Sequence, residues 1–377
     1  MHHLRVPSAS PVISFKGQCV VAQHALFDQA NETRMFLRSV HPGQIPVTAH
    51  AIALVVDFAR QRGLSVDAVL RDCHLQADRL HSPSTSLTRE QELKVFENLL
   101  MLSGDATVGL EIGRRLHVSC FGLPGYTMLV SATVKDAIQC LSNFPLLMGL
   151  YFNVTMREEG DWTAIVVDDY FYAKQLEPMC TDMMLAAIMA IIADLAGCPI
   201  QPLDVTLQHT RPSYHAYCTD LFGCEVRYGA AENAIYFPTV LLNQPAALAN
   251  AVSGEALYLQ CLDMERDGAA KVTSDLISQI RGLLNRDLNE FSSLGRVAEH
   301  FFLTERTLRR RLKSIDISFQ QLLDEARQKR AEELLLEGVK IAVIAEFLGY
   351  SDIASFRHAF RRWTGFSPSE YRHQTIG

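Results

Sequence analysis

Apolar residues first recur at three- and four-residue spacing at Ala51, Leu54, Val55, Phe58 and Ala59, which predicts an amphipathic helix. Gly63 closes it, and Ser65 can cap a second helix over 66–73. A third is expected over 88–102, with Glu90 and Glu92 in its first turn, where the helix dipole favours carboxylates. The period then changes. Residues 151–158 and 162–168 are rich in β-formers and are separated by Glu159-Gly160-Asp161, which predicts a hairpin. Further short strands are expected over 203–209 and 234–237. Between them, the apolar run from Met183 to Ala193 is closed by Asp194. It is far shorter than the ~20 residues a membrane span needs, so a buried helix is expected. The mixed pattern predicts one α+β body over 46–262.

Residues 1–45 are polar and mixed, broken by Pro7, Pro11 and Pro42, and are expected to form a mobile arm. No continuous apolar core precedes Pro46, so no signal peptide is expected and the protein is expected in the cytoplasm. A linker is expected over 263–274, around Gly268. From 275 to 377 the pattern is helical throughout and holds two copies of one unit.

In the first copy, Leu294, Val297, Ala298 and Phe301 form the inner face of a short helix. Phe302-Leu303 make a turn, and Thr304 stands where an N-cap hydroxyl is wanted. In the next helix Leu308 and Leu312 share the buried side. Arg306, Arg309, Arg310 and Lys313 fall on or near the opposite one. Most charge runs are simply a solvated face. Here the basic helix is short and follows a tight turn after another helix, as a DNA-recognition helix does. In the second copy Ile341, Ile344, Ala345 and Leu348 face inward, Gly349 ends the helix and Asp352 caps the next. There Phe356, Phe360 and Trp363 face the core, while Arg357, His358, Arg361 and Arg362 stay outside. Between the copies, Ser318 and Gln321 have capping-box spacing and Gly338 can end a helix of about 20 residues, roughly 30 Å long. Major-groove faces recur every ~34 Å on one side of B-DNA. The connecting helix therefore has the length needed to set two recognition helices in adjacent groove segments.

Charge sharpens this division. The formal net charge of −7, taken whole, argues against a nucleic-acid partner. Residues 271–377, however, carry 17 Lys and Arg against 14 Asp and Glu, which leaves −10 on residues 1–270. Local clustering, not net charge, decides attraction to phosphate. Nine cysteines are scattered without a C-x-x-C pair, so reduced, mostly buried thiols are expected and neither a zinc site nor a disulfide framework. Cys120 and Cys224 have no flanking cation and are expected to be inert. His209 and His215, near Asp220, match no common metal spacing. No nucleotide-binding loop or G-x-S-x-G elbow is present. No catalytic residue, metal or cofactor is expected.

The segment from Ile341 through Gly349-Tyr350-Ser351-Asp352 to Trp363-Thr364-Gly365-Phe366-Ser367-Pro368 resembles the signature of AraC/XylS-type transcription regulators. The Leu308-Arg309-Arg310-Arg311-Leu312 run is similar to that family's first unit. By position, the resemblance makes Arg306, Arg309 and Arg310, then Arg357 and His358, the base-reaching residues. Ile353 and Ala354 stand where polar residues are common in relatives, which implies fewer bases read by the second unit. Upstream, Val108-Gly109-Leu110-Glu111-Ile112-Gly113, Phe121-Gly122-Leu123-Pro124-Gly125-Tyr126 and Leu221 to Tyr228 resemble the arabinose-binding-type regulatory domain of one branch of these regulators. That branch includes ornithine-use, quorum-sensing and virulence regulators. The resemblance implies an α+β N-terminal regulatory domain plus an all-α C-terminal domain with two helix-turn-helix units joined by a long helix. It implies a bacterial transcription activator whose partners are double-stranded promoter DNA, RNA polymerase, a small-molecule effector and a second copy of the chain, bound through the N-terminal domain. No membrane partner is expected. Two alternatives stand beside it: an alkyl-transfer DNA-repair enzyme fused to the same DNA-binding unit, and a ligand-independent regulator acting through dimerisation or a protein partner.

Overall fold

The computed structural model describes residues 45–376, apart from 81, 83, 84, 302, 303 and 315. The arm expected over 1–45 therefore lies, but for its last residue, outside the described residues, as does the turn at Phe302-Leu303.

The N-terminal body opens with β1 (Pro46–Thr48) and α1 (His50–Gln61), which buries Ile52, Val55, Val56, Phe58 and Ala59. Ser65 caps α2 (Val66–Val69), its side chain accepting the Ala68 N–H. The short strand β2 (Ser86–Thr88) pairs antiparallel with β1 and leads directly into α3 (Arg89–Ser103). Thr88 and Gln91 form a reciprocal capping box at its start, satisfying two donors that a helix N-terminus would otherwise leave free. Glu92 does not point to solvent at the dipole, as expected from its place in the first turn, but is buried.

Three short helices follow, α4 (Val108–Gly113), α5 (Gly122–Leu129) and α6 (Val134–Asn143). The hairpin forms as expected: β3 (Asn153–Glu159) and β4 (Trp162–Asp168) close on the Glu159–Trp162 pair around a two-residue turn. Next comes α7 (Glu177–Ala196), which extends well beyond the apolar run that announced it. By length and composition it could cross a membrane, but 78% of its apolar stretch is buried inside the protein, so it is a core helix. Gly109 and Gly113 let α4 lie flush on it: a Cβ at either would come within 2.3 Å or 2.2 Å of the carbonyl oxygens of Met179 and Met183. The glycines of the Val108–Gly113 motif are thus a packing requirement.

The remaining body elements are β5 (Asp204–Leu207), α8 (His215–Phe222), β6 (Val226–Tyr228), β7 (Asn233–Pro238) and α9 (Thr239–Leu242). The sheet order is β3-β4-β7-β5-β6, antiparallel except for the β5–β6 pair. Val154, Ile165, Val167, Val205, Leu207, Ile235 and Phe237 join the same core as α7. The N-terminal region is a mixed α/β unit built around that sheet.

The segment expected to be a linker is helical. Residues 263–274 lie inside α10 (Ala251–Arg286), a continuous 36-residue helix. Gly268 suggested flexibility; instead it permits close approach, since a Cβ there would meet Leu146 Cδ2 at 2.7 Å. The far end of α10 buries Leu276, Ile277, Ile280, Leu283 and Leu284 in a second, separate core. That core also holds α11 (Leu294–His300), α12 (Glu305–Ser314), α13 (Phe319–Leu336), α14 (Ile341–Phe347) and α15 (Ile353–Thr364). The helix α16 (Pro368–Ile376) closes the described chain.

Candidate nucleic-acid interface

The C-terminal helices form two pairs, α11–α12 and α14–α15, separated by α13. Local capping determines where each helix begins. Ser293 accepts the Arg296 N–H at 3.3 Å to start α11. Ser318 and Gln321 form a reciprocal capping box at α13, with N–H···O distances of 2.6 Å and 3.2 Å. The expected helix of about 20 residues is 18 residues long, which at 1.5 Å per residue gives about 27 Å. Gly349, at φ 78°, ends α14 in the left-handed region, and the Tyr350 N–H reaches back to the Ala345 carbonyl at 2.9 Å. Asp352 then caps α15, accepting the Ser355 N–H and its hydroxyl, each at 2.7 Å. Those bonds hold its carboxyl below the usual carboxylate range. Ser367 and Glu370 cap α16 reciprocally, which likewise lowers the Glu370 pKa.

In the first pair, Leu308 and Leu312 are buried at 0% and 2% exposure, and Arg306, Arg309 and Lys313 are exposed. Arg309 is 72% exposed and lies 3.8 Å from Glu305 one turn earlier. The side chain of Arg310 lies outside the described residues. In the second pair, Phe356 and Phe360 are fully buried while Arg357, His358 and Arg361 stand in solvent. Arg362 is exposed too, but its Nη2 bonds Asp324 of α13 at 2.9 Å. It therefore braces α15 against the connecting helix, a contact 38 residues apart that no local pattern reveals. Trp363 is only half-buried, packed edge-on to Tyr350 and Phe360 at 6.3 Å and 6.4 Å. Ile353 and Ala354 are exposed at the start of α15.

Two arginines missed by sequence reasoning hold this arrangement together. Arg372 donates from Nε to the Leu335 carbonyl at 3.2 Å and from Nη2 to that of Val339, satisfying acceptors at and just beyond the end of α13. Arg281 of α10 bonds Glu325 of α13 at 3.1 Å. Their signal in the sequence is only an isolated basic residue.

The groups considered for other chemistry have structural partners. Burial pushes the Cys224 thiol up to about 11 and raises that of Cys120, which suppresses the reactive thiolate. Near His209 the partner is Asp182 of α7, at 3.3 Å, rather than Asp220. Burial opposes a charge on that imidazole, but the hydrogen bonds to Asp182 and to the Thr210 carbonyl, together with the Asp182 charge, outweigh it and leave its pKa above the ordinary value. Among the described residues no group of three His, Cys, Asp or Glu side chains is placed to hold a metal.

Comparison with known proteins accounts for both regions. Residues 63–246 match the family model described as the arabinose-binding domain of AraC transcription regulator, N-terminal, and residues 297–374 match a helix-turn-helix domain. The ornithine utilization regulator of Pseudomonas aeruginosa is 28% identical over 87% of this chain and 96% of its own length. The transcriptional regulator VqsM of the same organism is 29% identical over 77% of this chain and 91% of its own. The crystal structure of the regulator CdpR, again from Pseudomonas aeruginosa, aligns with 85% of this chain and 96% of its own at 24% identity and a TM-score of 0.44. With its sheet-containing N-terminal unit and its helical C-terminal unit each matched by a family model, the chain belongs to the AraC family of DNA-binding transcription regulators, with an arabinose-binding-type N-terminal domain and a helix-turn-helix C-terminal domain.

Proposed function

We propose that this protein controls target promoters in the cytoplasm by inserting α12 and α15, the second helices of two helix-turn-helix units, into successive major-groove segments. One observation supports this most: two short helices with sealed apolar faces present cationic side chains to solvent from a shared core, across a helix of 18 residues. In this reading Arg306, Arg309, Arg310 and Lys313, then Arg357, His358 and Arg361, contact DNA, while Arg362 positions α15. Arginine is suited to the work because its planar fork reads guanine edges or clamps phosphate. Ile353 and Ala354 offer apolar contact to thymine methyls in place of hydrogen bonds.

The N-terminal domain binds a small effector and joins two copies of the chain. The dimer would use the outer face of α10 and its surroundings, where Val252 is 82% exposed, Leu259 54% and Tyr126 54%. Exposed apolar residues gathered in one region mark association surfaces. Genome-wide mapping of bound sites, followed by fluorescence anisotropy on the extracted motif, tests the DNA assignment. Arg309→Ala and Arg357→Ala should each weaken specific binding by about 1–3 kcal/mol while leaving helicity unchanged. Unaltered operator binding by the double variant would sink it.

A further inference from the structure

Beneath β1 lies a buried polar cluster that plays no part in DNA contact. Arg89 and Glu92, one turn apart on α3, are an ion pair with side chains only 1% and 4% exposed. The second Arg89 amine donates to the Gly149 carbonyl at 2.6 Å. Tyr151 and Tyr172 flank the guanidinium, with ring centroids 4.1 Å and 5.5 Å away. Among the described residues Arg89 Nε has no hydrogen-bond partner, and the Tyr151 and Tyr172 hydroxyls, although they lie beside Glu92 and Arg89, are not aligned with them for a hydrogen bond. Buried donors without acceptors are costly and uncommon in a settled core.

Tyr151 and Glu92, both buried, are among the residues lining a cavity of about 60 Å³. The rest of the wall is mainly apolar and includes Met148, Met183, Met184 and Ala187. Thr48 and His50, both exposed, stand at its mouth. The volume suits a ligand of a few heavy atoms, and the flexible methionines can yield to a slightly longer one. Arg89 and Glu92 already neutralise each other. A charged ligand would bring an unpaired charge into the core, whereas an oxygen acceptor would satisfy the Tyr151 hydroxyl.

The wall of this cavity is also the seat of α10. The loop supplying Met148, Gly149 and Tyr151 begins with Leu146 and Leu147, whose N–H groups each donate to Glu265 of α10 at 2.9 Å. Glu265 is 2% exposed, and Leu146 packs on Gly268 one turn later. The helix then continues unbroken into the C-terminal core. One short loop thus touches the cavity on one side and α10 on the other.

We propose that this cavity is the effector site, that it takes a small, mostly apolar molecule bearing one neutral oxygen head, and that the 146–151 loop passes its occupancy through Glu265 to α10. The proposal rests on the reading of the N-terminal domain as the effector-binding one. Occupancy shifts α10 only as far as the ligand distinguishes two settings of the loop.

The test uses the full chain with 1-butanol, butyrate and butylamine as matched probes, followed by saturation-transfer NMR and hydrogen–deuterium exchange. Saturable binding of 1-butanol in preference to the other two is expected. Tyr151→Phe should weaken it about fivefold, the worth of one neutral hydrogen bond. Ala187→Leu, which fills the cavity, should abolish it. Butanol should alter exchange along 262–284, and Glu265→Gln should remove that response while butanol still binds. Stronger binding of butyrate or butylamine, indifference to Tyr151→Phe, or a response that survives Glu265→Gln overturns the proposal. None of these readouts involves DNA. A chain that binds its operator but fails here rejects the cavity alone; one that passes here and ignores promoter DNA rejects the regulator reading.

Discussion

Replacing Arg89 by methionine should destabilise the N-terminal domain far more than the lost volume explains. The side chain is 1% exposed, bonded to Glu92 and to the Gly149 carbonyl, and stacked on Tyr151. Methionine fills similar space but strands the Glu92 carboxylate, and breaking a buried ion pair on one side costs about 3–5 kcal/mol. The double variant Arg89→Met/Glu92→Leu removes both charges and should recover most of that loss. The pH dependence has a definite sign. Burial holds Glu92 above the usual carboxylate range against the opposing pull of Arg89. A raised folded pKa means that stability is greatest below the unfolded value of about 4.3 and falls as pH rises toward the folded one. Deleting Arg89 removes the opposing pull, so the single variant should lose more stability than the parent as pH climbs from acid to neutral. Urea unfolding followed by fluorescence measures this. The chain has two tryptophans, Trp162 on the sheet and Trp363 in the C-terminal core, so a Trp363→Phe background leaves Trp162 to report the N-terminal domain. If the double variant is as unstable as the single one at neutral pH, the unpaired charge is not the cause and the argument fails.

Three further outcomes follow from the geometry. Trp363→Ala should cost about 3 kcal/mol in melting of the C-terminal domain, the low end for a large aromatic because the ring is half-buried. No change in melting would mean that the ring contributes nothing to the core. Gly349→Ala should cost roughly 1–2 kcal/mol, because φ 78° is strained for any residue with a Cβ; it is checked by the same melts. Light scattering should show a dimer for the full chain at micromolar concentration and a monomer for a fragment beginning near Lys271, and the reverse pattern would move the interface into the C-terminal domain.

Much of the C-terminal domain was legible because its determinants are local. The Ser318–Gln321 and Ser367–Glu370 boxes, the Asp352 cap and the left-handed Gly349 each depend on residues three or four apart. The inward stripe of Leu308 and Leu312 follows from helical spacing alone. The hairpin at Gly160 was legible for the same reason. Trp363 was expected deeper than it lies because periodicity gives the side a residue faces, not how much neighbouring structure covers that side.

The amino-acid order by itself therefore determined the capped helix ends of the C-terminal domain, the apolar stripes, the hairpin and the two basic helices, since each is decided by neighbours within a turn or two. The tertiary structure decided which polar residues are structural. Glu92, expected at a solvated helix start, became half of a buried ion pair because loop 146–151 and β1 close over it. Arg362, outward by periodicity, became a brace because α13 brings Asp324 beside it. The glycine-bearing stretch around Gly268 became continuous helix because Leu146 and Leu147, more than a hundred residues earlier, supply the N–H groups and the surface that hold it. Desolvation and long-range pairing depend on what the fold places opposite a side chain, and the local sequence carries no record of that partner.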